Sequence, residues 1–275
     1  MVARPLLDRL APLLDAVQIL IVAIVFAAPV LWMVMAGFKD PDAVTALPPQ
    51  LIFHPTLQNY TTVLTTMPFL RFALNSVVVA GGSTAVGVAL GVPAAFAVSW
   101  NRMRWPTLLM LSARMAPGAL FLLPWFVMFS AVGAVGSFWV LIVTHAAITL
   151  PLALWTMLPF FDALPRELTE AARIDGCSDT SVLLRVVLPL VGPGLAVSVI
   201  LCFVFAWNYF LFALVLSDIN SRTLIVAAFN FVGEGVTDWG ALMAAATLIA
   251  LPPVVVTFLG QRWLIAGLTA GAVKG

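Results

Sequence analysis

The 275-residue chain reads as an all-α integral membrane protein with six transmembrane helices. Three observations predict this class. Apolar residues make up 63% of the chain and charged residues only 9%, against about half and about a quarter in a soluble domain. The apolar excess falls in continuous runs, and crossing hydrocarbon takes about 20 such residues per helix. The alternation that marks a membrane β-barrel is absent. A globule of this composition would expose large apolar patches, so a soluble enzyme and a disordered chain are both poor readings. Thirteen Lys+Arg against 12 Asp+Glu give a formal charge of +1. That leaves no basic field for phosphates, which argues against nucleic acid as a partner.

Six stretches qualify as spans: 16–38, 71–99, 107–131, 138–160, 194–217 and 241–263. The first is not read as a cleaved signal peptide, because Asp8 and Asp15 dilute its basic flank and its apolar run is long. Pro93, Pro117, Pro151 and Pro252-Pro253 interrupt four spans, and each removes a backbone donor. Gly87 and Gly91 form a small-residue spacing that favours tight helix packing.

Six spans put both termini on one side. Arg4, Arg9, Arg102, Arg104, Arg166, Arg173, Arg185, Arg262 and Lys274 fall on that side. Lys39, Arg71 and Arg222 fall on the other, and Arg114 lies within a span. The positive-inside rule then makes both termini cytoplasmic in a cell (inner) membrane. Two sizeable segments, 39–70 and 218–240, face outward. A turn, 100–106, and a longer loop, 161–192, face inward.

The chain carries no fuel site of its own. No Asp or Glu occurs from Ala43 to Phe161, from Thr180 to Leu216, or after Asp238. The spans therefore lack the buried carboxylates of a proton-coupled carrier. His145 stands alone and reads as satisfied by Thr144, Thr149 or a backbone carbonyl. The only lysines, Lys39 and Lys274, cannot belong to a phosphate-cradling Walker loop. Cys177 and Cys202 fall in different environments and should not pair, and neither they nor His54 and His145 have metal-site spacing.

Residues 161–192 encode two short helices. Pro165 suits a first helical turn, and Glu167 and Glu170 sit near the positive end of the dipole. Leu164, Leu168, Ala171 and Ala172 recur at helical spacing and are expected to form one apolar face. Gly176 supplies a left-handed stop. Ser178 or Asp179 can cap a second helix with Val182, Leu183, Val186 and Val187 on one side and Arg185 on the other, ended by Pro189. Such a hairpin either lies on the membrane surface or plugs a cleft on a cytoplasmic partner.

Glu170-Ala171-Ala172-x-x-Asp175-Gly176, with Leu188-Pro189 after the second helix, resembles the EAA loop of binding-protein-dependent ABC importer permeases. Asn75-Ser76 and Trp207-Asn208 are similar to the same family's pattern, and the stretch from Gln261-Arg262-Trp263 to Gly275 is similar to the C-terminal end of the maltose-type second permease subunit, which narrows the resemblance to the carbohydrate-uptake branch. The resemblance covers most of the chain. Thr169 departs from the pattern, since many relatives carry a second Glu there, and this implies one polar contact fewer.

The resemblance implies a type I ABC importer permease fold, a single permease domain over 1–275. It implies half of a translocation pathway for a sugar, a di- or oligosaccharide by family. The implied partners are a second permease subunit, two ATP-binding cassette ATPase subunits and an extracytoplasmic solute-binding protein. ATP and Mg would be used by the ATPases, with no cofactor in this chain. The coupling residues carried over are Leu168, Glu170, Ala171, Ala172, Arg173, Asp175 and Gly176. The segment Phe229 to Trp239 could meet the binding protein, and the tail from Gly271 to Gly275 could reach toward the ATPases.

For the solute path, Asn208 is an amide at membrane depth that must face the bundle or a wet cavity. A sugar hydroxyl and an interhelical hydrogen bond are equally good partners. Trp207 and Tyr209 could stack on a sugar ring or serve packing. Arg114, costing roughly 2.5–3.5 kcal/mol at bilayer depth, reads as structural. Two other classes compete: a non-transporting scaffold or receptor that uses the loop only to bind a cytoplasmic partner, and an ion-coupled carrier, which the acid-free spans disfavour.

Overall fold

The computed structural model describes residues 6–103, 105–232 and 237–272, without the side chains of 6–11, 107, 111, 113, 114 and 264–272. Among the described residues the regular elements are all helical, joined by turns and loops, with one isolated bridge between Val232 and Thr237. In order the helices are α1 (Leu6–Gly37), α2 (Pro41–Val44), α3 (Gln58–Thr66), α4 (Phe69–Trp100), α5 (Trp105–Met115), α6 (Ala119–Ala131), α7 (Phe138–Asp162) and α8 (Arg166–Ile174). A continuous helical arm follows, α9 (Asp179–Ser181), a π-helical turn (Val182–Val187) and α10 (Leu188–Leu190). Then come α11 (Gly192–Trp207), α12 (Phe210–Leu216), α13 (Leu224–Ala227), a 3-10 turn (Ala228–Phe231) and α14 (Trp239–Ala272).

Four helical stretches are long and apolar enough to cross a bilayer: Pro12–Gly37, Phe69–Trp100, Phe138–Asp162 and Trp239–Trp263. The arm Asp179–Leu190 and α11 add a fifth if taken together, although a 90° bend separates them. The remaining apolar stretches are broken. That of 107–131 is split between α5 and α6 at Ala116–Gly118, and that of 194–217 between α11 and α12 at Asn208-Tyr209.

The prolines do not act alike. Pro93 lies inside α4, Pro151 and Pro159 inside α7, and Pro252 and Pro253 inside α14, and these helices continue through them. An interior proline costs about 3 kcal/mol or more in water. In an apolar surrounding, unwinding would strand backbone groups at several kcal/mol each, so the helix continues. Pro117 differs because Gly118 follows it, and that pair does end a helix.

The chain divides into two compact units. The smaller comprises residues 1–67 and 228–249. Buried Asn59 organises it, its Nδ2 donating to the carbonyls of Gly37 (3.1 Å) and Lys39 (2.6 Å) and so tying α3 to the end of α1. Lys39 is buried beneath aromatic faces, with Nζ 4.4 Å from the Trp32 ring centroid and 5.3 Å from that of Phe53. From Leu13 to Leu31, α1 presents an almost unbroken exposed apolar surface.

The larger unit, 68–227 with 250–275, is built on α4 against α7. Gly87 and Gly91 permit that contact. A Cβ at Gly87 would lie 2.2 Å from Thr149 Oγ1, and one at Gly91 2.7 Å from the Leu150 carbonyl. α11 packs on both helices. Cys202 is buried on α11, Cys177 is half-buried past α8, and no disulfide joins them. At one end Asn75 donates to the carbonyls of Asn220 and Arg222, and Ser76 accepts from the Leu224 amide. At the other, α4 ends at a backbone left-handed residue, Arg102 (φ 52°). The Arg102 amide donates to Ser99 and the Met103 amide to Val98, a Schellman termination that usually carries glycine. A side chain there costs about 1–2 kcal/mol. Attraction of the guanidinium to the helix C-terminus typically returns about 0.3–1 kcal/mol.

Candidate functional site

The hairpin beyond α7 is held by its second arm. Val182, Leu183, Val187 and Val191 are buried against Val92 and Ala95 of α4 and Leu154, Met157 and Phe161 of α7. Leu184 and Arg185 face outward. Ser178 caps this arm, its Oγ accepting from the Ser181 amide at 3.4 Å. The arm continues through Pro189 to Leu190 before bending at Val191, so Pro189 does not end it. Proline is tolerated in the first turn of the short α10, where its missing donor is not needed.

α8 has two faces, and they differ from the expected one. Leu164 precedes the helix, which starts at Arg166, so it is not on the helical wheel with the others. The inward face is Thr169, Ala172 and Arg173. Thr169 is buried and donates to the Arg166 carbonyl at 2.7 Å, and Ala172 packs on the hairpin core. Leu168 and Ala171 are exposed with Glu167, Glu170, Ile174, Asp175 and Gly176. The apolar set therefore splits: Leu168 and Ala171, three residues apart, share the exposed side, whereas Ala172, one residue on from Ala171 and about 100° round the wheel, joins Thr169 on the packed side.

Arg173 is turned to its own bundle. Its guanidinium sits 4.3 Å from the Trp100 ring centroid and makes a 2.7 Å ion pair with Asp179. Arg166 flanks the same indole at 5.8 Å. The pair joins the two helices of the hairpin, and Trp100 anchors them to the end of α4. Gly176 has φ +86°, and no atom lies within 4 Å of where its Cβ would be. Glycine is required there by the backbone, not by space.

The second group lies where two apolar stretches break. Tyr209 has an extended backbone (φ −81°, ψ 103°) between α11 and α12. Its hydroxyl rests on Gly118 at the α5–α6 break, where a Cβ would come within 1.9 Å of it. Its ring packs on Phe212 (4.5 Å) and edge-on to His145 (5.8 Å). His145 is buried, with Nδ1 2.7 Å from the Leu141 carbonyl and Nε2 3.4 Å from that of Tyr209. The imidazole thus sits between α7 and the break. Trp207 is buried, its ring tilted against that of Phe203 with the centroids 5.6 Å apart. Asn208 is exposed, and its Nδ2 donates to the Val204 carbonyl of its own helix at 2.8 Å. Neither the bundle interior nor another helix receives it. The amide closes the last turn of α11 instead.

Three participants were not singled out from sequence. Gly118 could have been found, since Pro117-Gly118 in an apolar run marks a helix break. Ile174, 86% exposed and next to Asp175, and the Trp100 platform carry no local signal. Arg114 lies on α5 with its side chain outside the described residues. So do the backbone of 233–236, within the outward segment 229–239, and that of tail residues 273–275. Among the described residues no three His, Cys, Asp or Glu side chains gather to hold a metal.

The model for the binding-protein-dependent transport system inner membrane component matches residues 43–269. The chain belongs to this family. A probable ABC transporter permease protein, y4oR, of Sinorhizobium fredii is 34% identical over 92% of this chain and 92% of its own length. The trehalose/maltose transport system permease protein MalG of Thermococcus litoralis is 35% identical over 93% of this chain and 94% of its own. The fold is that of a solved bacterial ABC transporter involved in the import of the acidic polysaccharide alginate. The TM-score is 0.75 at 20% identity, covering 95% of this chain and 99% of that one. As a member of the binding-protein-dependent transport family, the chain is a multi-pass membrane permease component. Its hairpin and its helix breaks are two separate features of that permease.

Proposed function

We propose that the chain forms half of the translocation pathway of an ATP-driven importer for a di- or oligosaccharide. It would pair with a second permease subunit, receive solute from an extracytoplasmic binding protein, and be driven by two ATPase subunits that use ATP and Mg. The two broken stretches count as one crossing each, which gives six crossings with both termini in the cytoplasm. The relative named for trehalose/maltose transport supports the sugar class.

The observation that carries the coupling role is the outward face of α8. Glu170, Ala171, Asp175 and Gly176, with Leu168 and Ile174, are exposed on a helix whose opposite side is fixed to the bundle. The small side chain of Ala171 lets a partner surface approach the backbone, while the acidic groups favour donors on the ATPase. Arg173 acts differently, as a brace between α8, Asp179 and Trp100. Solute would pass the helix breaks, where Tyr209 offers a ring and a hydroxyl over Gly118. Trp207 backs that segment from the core, and exposed Asn208 could exchange its own-helix bond for a sugar hydroxyl.

Reconstitution with the ATPases and binding protein tests this. The expected result is ATP-dependent sugar accumulation. Ala171→Trp, at an exposed site, should abolish accumulation while the permease pair still assembles. Unchanged uptake by that variant would overturn the coupling role.

A further inference from the structure

A groove of about 830 Å3 opens where α4 and α7 end beside the start of α8. Two guanidinium groups, Arg102 and Arg166, line it together with Asp162. The carboxylate is already engaged by Ser99 Oγ at 2.5 Å. Among the described residues neither arginine has a carboxylate within ion-pair distance. Two positive charges and one negative leave the groove at +1. Arg102 holds a left-handed position where glycine is usual, and helix-dipole attraction does not offset that strain. Beside the charges the walls are apolar: Met103 and Leu108 are 38% and 63% exposed. The groove thus joins a cationic end to an apolar flank at the terminus of membrane-crossing helices.

We propose that this groove binds an anionic phospholipid, with Arg102 and Arg166 on the phosphate and Met103 and Leu108 along the acyl chain. A free phosphate would leave the apolar half unused. Arg166 is the first residue of α8, so the bound headgroup fixes the root of the coupling helix. The link to transport rests on the importer reading, whereas lipid binding itself does not.

The test uses the assembled transporter in nanodiscs of zwitterionic lipid with graded phosphatidylglycerol. Bound phosphatidylglycerol is read by native mass spectrometry and ATP turnover in parallel. Arg102→Gly suits the left-handed backbone, so it removes the charge without disturbing the fold. Arg102→Gly and Arg166→Gln should each weaken phosphatidylglycerol binding about fivefold and blunt its effect on turnover. Arg185→Gln, an exposed charge on the same hairpin, should leave binding as in the wild type. Equal binding by all variants would overturn the proposal, as would an equal loss in the Arg185 variant. Loss of the ATPase subunits from the Arg102 and Arg166 variants without a change in bound lipid would assign the groove to a protein contact instead. Failure of wild-type sugar uptake would count against the importer reading alone.

Discussion

Gly176 shows how a single backbone angle can govern the hairpin. With φ at +86° and open space around it, its substitution is limited by conformation and not by collision. Asparagine tolerates this region, alanine costs about 1–2 kcal/mol and a β-branched residue more. Uptake per assembled complex should therefore fall in the order Gly, Asn, Ala, Val, measured by ATP-dependent accumulation in proteoliposomes. Asp218 sets a second local expectation. The Ser221 amide foremost, and then that of Asn220, donates to its carboxylate and holds its pKa below the ordinary value. A lowered pKa means the stabilisation of this turn is present at neutral pH and lost as pH falls through the folded-state value. The protection of the Asn220 and Ser221 amides, their exchange rate relative to the intrinsic rate at each pH, should thus fall below about pH 4, and protection that stays constant through that range would refute it. Gly176 could be read from sequence because a left-handed stop has its own residue. The inward turn of Arg173 could not, because its partners Trp100 and Asp179 are brought to it by the fold.

At the scale of helices, the α4–α7 contact depends on missing side chains. Gly87→Ala and Gly91→Ala should each destabilise by about 1–3 kcal/mol through overpacking. The readout is the melting temperature of the purified complex in detergent. Gly81→Ala, with nothing within 4 Å, is the control and should not lower it. The brace between α8 and α4 makes a coupled prediction. Arg173→Ala and Trp100→Leu remove the same contact, worth about 0.5–2 kcal/mol. Their effects on complex stability should be less than additive, and strict additivity would show that the stack contributes nothing. The apolar runs made the long helices legible, since length and hydropathy alone define them. The breaks were less so: Pro117-Gly118 announces one, whereas Asn208-Tyr209 has no breaker residue and is set by packing on His145 and Phe212. The orientation of α8 is not legible in its apolar spacing, because Leu164 lies before the helix and the buried position next to Ala172 is the polar Thr169.

For the whole molecule, the absence of acidic residues from the predicted spans bears on its energy source. Dissipating proton and sodium gradients should leave uptake by the reconstituted importer intact. ATPase subunits unable to hydrolyse ATP should abolish it. The right angle at Val191 gives this dependence a mechanical form. The arm 179–190 is about 18 Å long and α11 about 24 Å, at 1.5 Å per residue. If the corner is rigid, a tug of about 3 Å on the tip of the short limb swings the distant end of the long limb by about 4 Å. That distant end is Trp207, next to the unwound Asn208-Tyr209 step. Under the proposed coupling role, a bell crank of this kind would turn a sideways pull at the tip of the arm into motion at the far end of α11, carried by the shared packing of both limbs on α4 and α7.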